Sequence, residues 1–192
     1  MYRKGNKELE IIALYAGGYE KQLYLREISR MAKIPTKTTQ NLLSFLEKNN
    51  ILKSIIRGKN KYFRLNLDNI QTKLIILQSE IYKTALFLKK YPQFKTFLKS
   101  LTANTPLIVF GSFARLTANK DSDLDLMIIA KKEPGLPLHL IPNSIHQVNL
   151  SEYSFIKAIK EQEALMKEME ENHIILNNHS FYVNAMWDSY GK

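Results

Sequence analysis

Apolar residues along this chain change their spacing several times, and each change marks an element. Leu9, Ile11, Ile12 and Leu14 recur at helical spacing, as do Leu25, Ile28, Ala32 and Ile34, and Pro35 stops the second run. Thr36 then suits the N-cap of a third helix ending near Asn49-Asn50. That helix carries Thr39, Leu42, Leu43 and Leu46 on its apolar side, with Lys37, Thr38, Gln40, Asn41 and Ser44 on the other. Two strand-like runs follow, Leu52 to Ile56 and Tyr62 to Leu67, joined by Arg57-Gly58-Lys59-Asn60-Lys61.

Residues 68–101 return to helical spacing, with Leu74, Ile75, Leu77, Ile81, Leu86 and Leu88 interrupted at Pro92, which predicts rigid connecting helices. Pro106 to Phe110 is short and β-branched enough for a buried strand ending at Gly111, and Phe113 to Leu116 can open a short helix. Leu126 to Ala130 and Ser144 to Leu150 predict two more strands, the second followed by a Ser151-capped helix through Ile156, Ile159 and Leu165 to about Asn172. The end, HIILNNHSFYVNAMWDSY, reads as a strand and a helix, whose Phe181, Tyr182, Met186 and Trp187 are expected to pack on the sheet. The fold class is α+β, divided at 1–67, 68–101 and 102–192.

Chemistry concentrates in one stretch, GSFARLTANKDSDLDL. Gly111 lets a turn approach a phosphate closely, Ser112 adds a hydroxyl, and the helix that follows offers free N–H groups to an anion. Asp123 and Asp125 are two apart at the start of a strand, so their carboxylates project from one face and call for a cation. Hard oxygen donors of this kind suit Mg²⁺, with phosphate oxygens and water completing the shell. A lone Gly-Ser or Asp-x-Asp would be an ordinary turn; the full order of strand, Gly-Ser, short helix, polar loop and Asp-x-Asp points to a nucleotide site.

This stretch resembles the minimal nucleotidyltransferases of the DNA polymerase β-type superfamily over about residues 105–150. The resemblance implies a small mixed sheet with helices on one side and transfer of a nucleoside monophosphate from an NTP to a hydroxyl with Mg²⁺ (or Mn²⁺). It also implies that Gly111 and Ser112 hold the triphosphate, that Asp123 and Asp125 are the catalytic, metal-binding pair, and that Arg115 and Lys120 lie near the phosphates. Leu116 departs from the family's usual Gly and is expected to narrow the phosphate seat. A second departure is larger: the family carries a third carboxylate on a later strand, as general base, and SIHQVNL has no acid. Alternation places Ile145, Gln147 and Asn149 on one face and His146, Val148 and Leu150 on the other; Gln147 is the first choice for the vacant position, with His146 and Asn149 as alternatives. Glu133 and Glu152 could reach in from loops, although a solvated surface is the ordinary role of each. His173 and His179 have no metal-ligand spacing.

Charge divides the chain again. Residues 1–67 hold 14 Lys or Arg against 5 Asp or Glu, a net +9, whereas residues 68–192 hold 14 against 13, a net +1. Such asymmetry points to a polyanion partner for the first third. Residues 5–67 resemble a winged helix-turn-helix, which implies DNA binding by Thr36, Lys37, Thr38, Gln40 and Asn41 on the third helix and by Arg57, Lys59 and Lys61 on the hairpin. Use for dimerisation or protein docking is the bland alternative, and a homodimer is compatible with it.

The absence of Cys excludes disulfides and thiolate metal sites, no apolar run approaches a membrane span, and the first residues lack a signal-peptide core, so a cytoplasmic protein without a membrane partner is expected. The expected function is a DNA-binding protein with a nucleotidyltransferase domain, acting on a protein, tRNA or small-molecule hydroxyl, with toxin–antitoxin systems as one setting. The alternative is a transcriptional regulator whose nucleotidyltransferase domain senses nucleotide without turning it over.

Overall fold

The structure is a computed structural model and describes residues 6–132 and 134–191. The chain forms two compact units, one of residues up to 79 together with the C-terminal end from Met186, the other of Glu80–Ala185.

In the first unit the predicted helices appear as α1 (Lys7–Ala16), α2 (Leu25–Ala32) and α3 (Thr36–Lys48), and the hairpin as β2 (Leu52–Arg57) and β3 (Asn60–Leu65). Thr36 is the first helical residue, with Pro35 at the N-cap position in place of a capping side chain. A two-residue strand, β1 (Leu23–Tyr24), has no signal in the apolar pattern; it pairs with β3 to give an antiparallel sheet of order β1-β3-β2. The hairpin turn is tighter than the sequence suggests, because Arg57 pairs with Asn60 and only Gly58-Lys59 lie between; Gly58, at φ +59°, takes the left-handed backbone that a β-carbon disfavours. Ile11, Ile12, Ile28, Leu43, Leu46 and Phe63 fill the core, and the Tyr15 hydroxyl donates to the Phe63 carbonyl at 3.0 Å.

The long helix α4 (Ile70–Lys90) ends before Pro92, and α5 (Phe94–Ser100) follows. The division between the two units falls inside α4. The second unit is built on a mixed sheet, β6-β5-β4-β7, made of β4 (Leu107–Phe110), β5 (Leu124–Ile129), β6 (Ile145–Leu150) and β7 (Ile174–Asn177). β4 runs antiparallel to β5 and β7, while β5 and β6 are parallel. Leu107 to Phe110 and Leu126 to Ile129 are all buried, so both faces of the central strands are covered, a fuller enclosure than helices on one side imply. One face packs against Phe87, Tyr91, Phe94, Phe97 and Phe113.

The Ser151 cap is present, its Oγ accepting from the Ser154 amide at 3.0 Å. The helix it starts is not continuous: α7 (Glu152–Lys160) and α8 (Ala164–Glu171) are separated where Gln162 adopts φ +52°, a left-handed residue that ends a helix. In the last helix, α9 (His179–Tyr190), Tyr182 and Met186 are buried and Phe181 and Trp187 half-buried.

Candidate functional site

β4 delivers the chain to a four-residue helical turn, α6 (Gly111–Ala114), that starts two residues earlier than expected. So short a turn has little dipole, and what it presents is close backbone approach and local N–H groups. Phe113, on the turn itself, is buried, its ring 5.0 Å from Tyr91 and 5.6 Å from Phe94, so core packing fixes the turn. Gly111 has φ +66°, and a β-carbon there would stand 2.0 Å from Asp125 Oδ2. The glycine therefore does two things: it allows the turn, and it makes room for the carboxylate behind it.

β5 begins at Leu124, so Asp125 is a strand residue paired with Phe110, and Asp123 immediately precedes the strand. Leu124 and Leu126 point into the core, which aims Asp125 at the opposite face. Asp123 is exposed and Asp125 half-buried. The loop ahead of them is held by its own polar residues and by one from outside the motif stretch, Asn143. Asn119 Oδ1 accepts from the Asp121 amide at 2.9 Å, the Asn119 amide donates to Ser122 Oγ at 3.0 Å, and Asn143 Nδ2 donates to the Ser122 carbonyl at 3.1 Å. Asn in a polar loop is a turn signal, but its partner from residue 143 is not visible without the fold.

Of the phosphate-side candidates, Ser112 is part of α6, while Arg115 follows it with Nη1 3.9 Å from Glu168 Oε1. Lys120 is exposed in the loop. Leu116 stands at φ +58°, a left-handed backbone that glycine adopts most readily, and its partly buried side chain packs on the core.

The register of β6 corrects the expectation for the missing acid. Asp125 pairs with His146, and Gln147 with Leu126, so Gln147 and Asn149 lie on the other face from Asp125. His146 Nδ1 is 3.2 Å from Asp125 Oδ1. Glu152 is exposed in the first turn of α7, and Glu133 lies outside the described residues. Among the described residues no three His, Asp or Glu side chains converge as a preformed metal cluster. Mg²⁺ fits regardless, since it is ordinarily held by one or two carboxylates with phosphate oxygens and water, and the Gly111 cradle leaves the Asp125 carboxylate beside the turn.

The second unit also holds a buried polar network that no motif announces. Glu80 is fully buried, with Lys83 Nζ 2.9 Å and His173 Nε2 3.0 Å from its two oxygens. Burial alone would raise the Glu80 carboxyl, but the charges of Lys83 and His173 and their hydrogen bonds bring it down to about 2. Thr84 Oγ1 donates to the Ile175 carbonyl at 2.6 Å and lies 2.9 Å from His179 Nε2; burial holds His179 below its usual range.

In the first unit, Thr36, Lys37, Gln40 and Asn41 are exposed on α3, and Thr38 is half-buried. Arg57, Lys59 and Lys61 are exposed on the hairpin, but Lys61 Nζ is paired with Glu47 Oε2 at 2.7 Å. An open cleft of about 680 Å³ brings Gln40 and Ser44 of α3 together with Lys59 and Lys61, joined by Tyr24 and Arg26, which nothing in the linear pattern singles out. No helix of the described residues is long and apolar enough to cross a membrane.

No curated protein matches this chain. A solved structure of TrmBL2, described as an archaeal chromatin protein that shows a novel mode of DNA binding, shares 17% identity over 78% of this chain at a TM-score of 0.29, too slight a likeness to fix fold or function. This chain spans 64% of that chain's length. Residues 92–176, the span that runs from just before α5 through the Gly111 turn, the Asp pair and β6 to β7, match the family model of the nucleotidyltransferase domain.

Proposed function

We propose that this chain is a DNA-binding nucleotidyltransferase that binds an NTP with Mg²⁺ (or Mn²⁺) and transfers its nucleoside monophosphate to a hydroxyl, releasing pyrophosphate. The observation that carries the nucleotide half is the close packing of Gly111 on Asp125: a β-carbon on the turn would stand 2.0 Å from the carboxylate, so the two halves of the motif lie side by side. Gly111 and Ser112 offer backbone N–H groups and a hydroxyl to the phosphates, and Arg115 and Lys120 supply positive charge on the loop that follows. Asp123 and Asp125 would hold the metal, which when bound neutralises phosphate charge and polarises the phosphoryl group. The acceptor hydroxyl belongs to a protein, a tRNA or a small molecule.

The N-terminal unit is read as a winged helix. Support comes from three helices and a three-stranded antiparallel sheet, from the net +9 of residues 1–67, and from the cleft that Gln40 and Lys59 both line. In this reading α3 enters the major groove, with Thr36, Lys37, Thr38, Gln40 and Asn41 available to it, and Arg57, Lys59 and Lys61 meet the backbone.

The decisive experiment is Asp123→Asn with Asp125→Asn in an NTP-binding titration with and without Mg²⁺. Metal-dependent binding should vanish while the fold persists; unchanged affinity would sink the nucleotide site. A second reading, a regulator that senses nucleotide without transfer, draws on the imidazole that β6 sets beside Asp125 where an acid would serve as base. Incubation with labelled NTPs, metal and total cellular protein and RNA separates the two, since transfer of label to any macromolecule excludes the second.

A further inference from the structure

β5 and β6 run parallel and in register, so Asp125 and His146 lie side by side on one face of the sheet, 3.2 Å apart between Oδ1 and Nδ1. The two side chains differ in freedom. Gly111 closes one side of the Asp125 carboxylate, whereas the His146 side chain is 68% exposed at the open side of the site. Nothing about strand packing requires an imidazole here, since the neighbours on its face, Val148 and Leu150, are ordinary half-buried apolar residues.

We propose that His146 is a metal ligand, a nitrogen donor working with Asp125, and that it turns the preference of the site from Mg²⁺ towards Mn²⁺. The inference rests on the reading of Asp123 and Asp125 as the metal-binding pair. Mg²⁺ is a hard ion that takes oxygen almost exclusively and demands a near-ideal octahedron. An imidazole suits first-row transition metals, and Mn²⁺ accepts both carboxylate oxygen and nitrogen. Because three such side chains do not converge beforehand among the described residues, the site is completed by nucleotide phosphate and water. Metal and nucleotide therefore reinforce each other's binding, and the metal bound alone is held weakly.

The test uses the full chain, titrated with Mn²⁺ and with Mg²⁺, each alone and with non-hydrolysable ATP and GTP analogues, and read by calorimetry and by pulsed electron paramagnetic resonance of bound Mn²⁺. The wild type should show ¹⁴N modulation from a coordinated imidazole. His146→Gln should abolish that signal and weaken Mn²⁺ roughly tenfold or more in the presence of the analogue, with a much smaller change for Mg²⁺. His146→Asp should also lose the nitrogen signal and reverse the preference in favour of Mg²⁺. Thermal unfolding should be unchanged in both, as expected of an exposed side chain. Bound Mn²⁺ without ¹⁴N modulation, together with wild-type Mn²⁺ affinity in His146→Gln, would overturn the role of His146 and leave the nucleotide site standing. Failure of the wild type to bind either metal, with or without analogue, would overturn both.

Discussion

At Gly111 a β-carbon would stand 2.0 Å from Asp125 Oδ2 on a backbone held at φ +66°, so the chain can accept a side chain there only by moving the carboxylate. Gly111→Ala should lose at least about 1–2 kcal/mol from the left-handed backbone alone. It should also lose metal-dependent NTP binding, because Asp125 is displaced. Denaturant unfolding and a binding titration check the two effects separately, and wild-type behaviour in both would refute the close packing. Glu80 carries a different kind of commitment. Its carboxyl is pulled from 4.5 to about 2 against the effect of burial, so its pairing with Lys83 and His173 stabilises the fold fully above about pH 4.5 and is lost as pH falls towards 2. His179, held below 6.5 by burial, adds stability above that value that fades on acidification. A melting temperature that declines in steps from pH 6.5 downwards is expected. Glu80→Ala, which leaves Lys83 and His173 without their carboxylate partner in a buried site, should cost about 3–5 kcal/mol and flatten the lower step.

Among the elements, α3 and the β2–β3 hairpin are joined by a carboxylate. Glu47 accepts from Lys61 at 2.7 Å and from the Ser54 hydroxyl; partial burial pushes its carboxyl up, but those two donors bring it below the usual range. Lys61 is thus already engaged, whereas Arg57 and Lys59 are exposed and make no ion pair among the described residues. For DNA binding, replacing Arg57 and Lys59 with Ala should flatten the log–log salt dependence by about 0.9 for each phosphate no longer neutralised, and Lys61→Ala should do less. Glu47→Gln, which frees Lys61 and removes a negative charge beside it, should tighten binding. Equal effects of all three cations, or weaker binding by Glu47→Gln, would show that the pair does not persist on DNA. Gln40→Ala or Asn41→Ala should instead change sequence preference, with about 1–3 kcal/mol of discrimination removed for each base edge no longer read.

The whole molecule separates its charge by unit of sequence, +9 in residues 1–67 against +1 in residues 68–192. Salt should therefore act on the two proposed activities unequally. DNA affinity is expected to fall steeply as ionic strength rises, because counterion release supplies most of it. NTP binding should change less, since phosphate is met at a half-buried turn with a metal and screening there is weaker. Anisotropy of labelled DNA and of a labelled NTP, measured over the same salt series, tests this, and parallel slopes would argue that nucleotide is held only by surface charge.

Periodicity and punctuation determined much of this protein: the helices before Pro35 and Pro92, the Ser151 cap, the hairpin, and the strand–turn–strand order that carries Gly111 and the Asp pair were all legible, because each is a local preference of the chain. The break at Gln162 was not, since nothing in the composition of that helix requires a left-handed residue. Nor was β1, two residues long and defined only by its partner on β3. Alternation alone could sort the residues of β6 into two faces, but not say which face meets Asp125. That depended on the offset between two strands separated by a long loop, and the parallel register placed His146 there and turned Gln147 away. The Glu80–Lys83–His173 cluster joins residues 93 positions apart, so only the tertiary structure could bring those side chains out of water together.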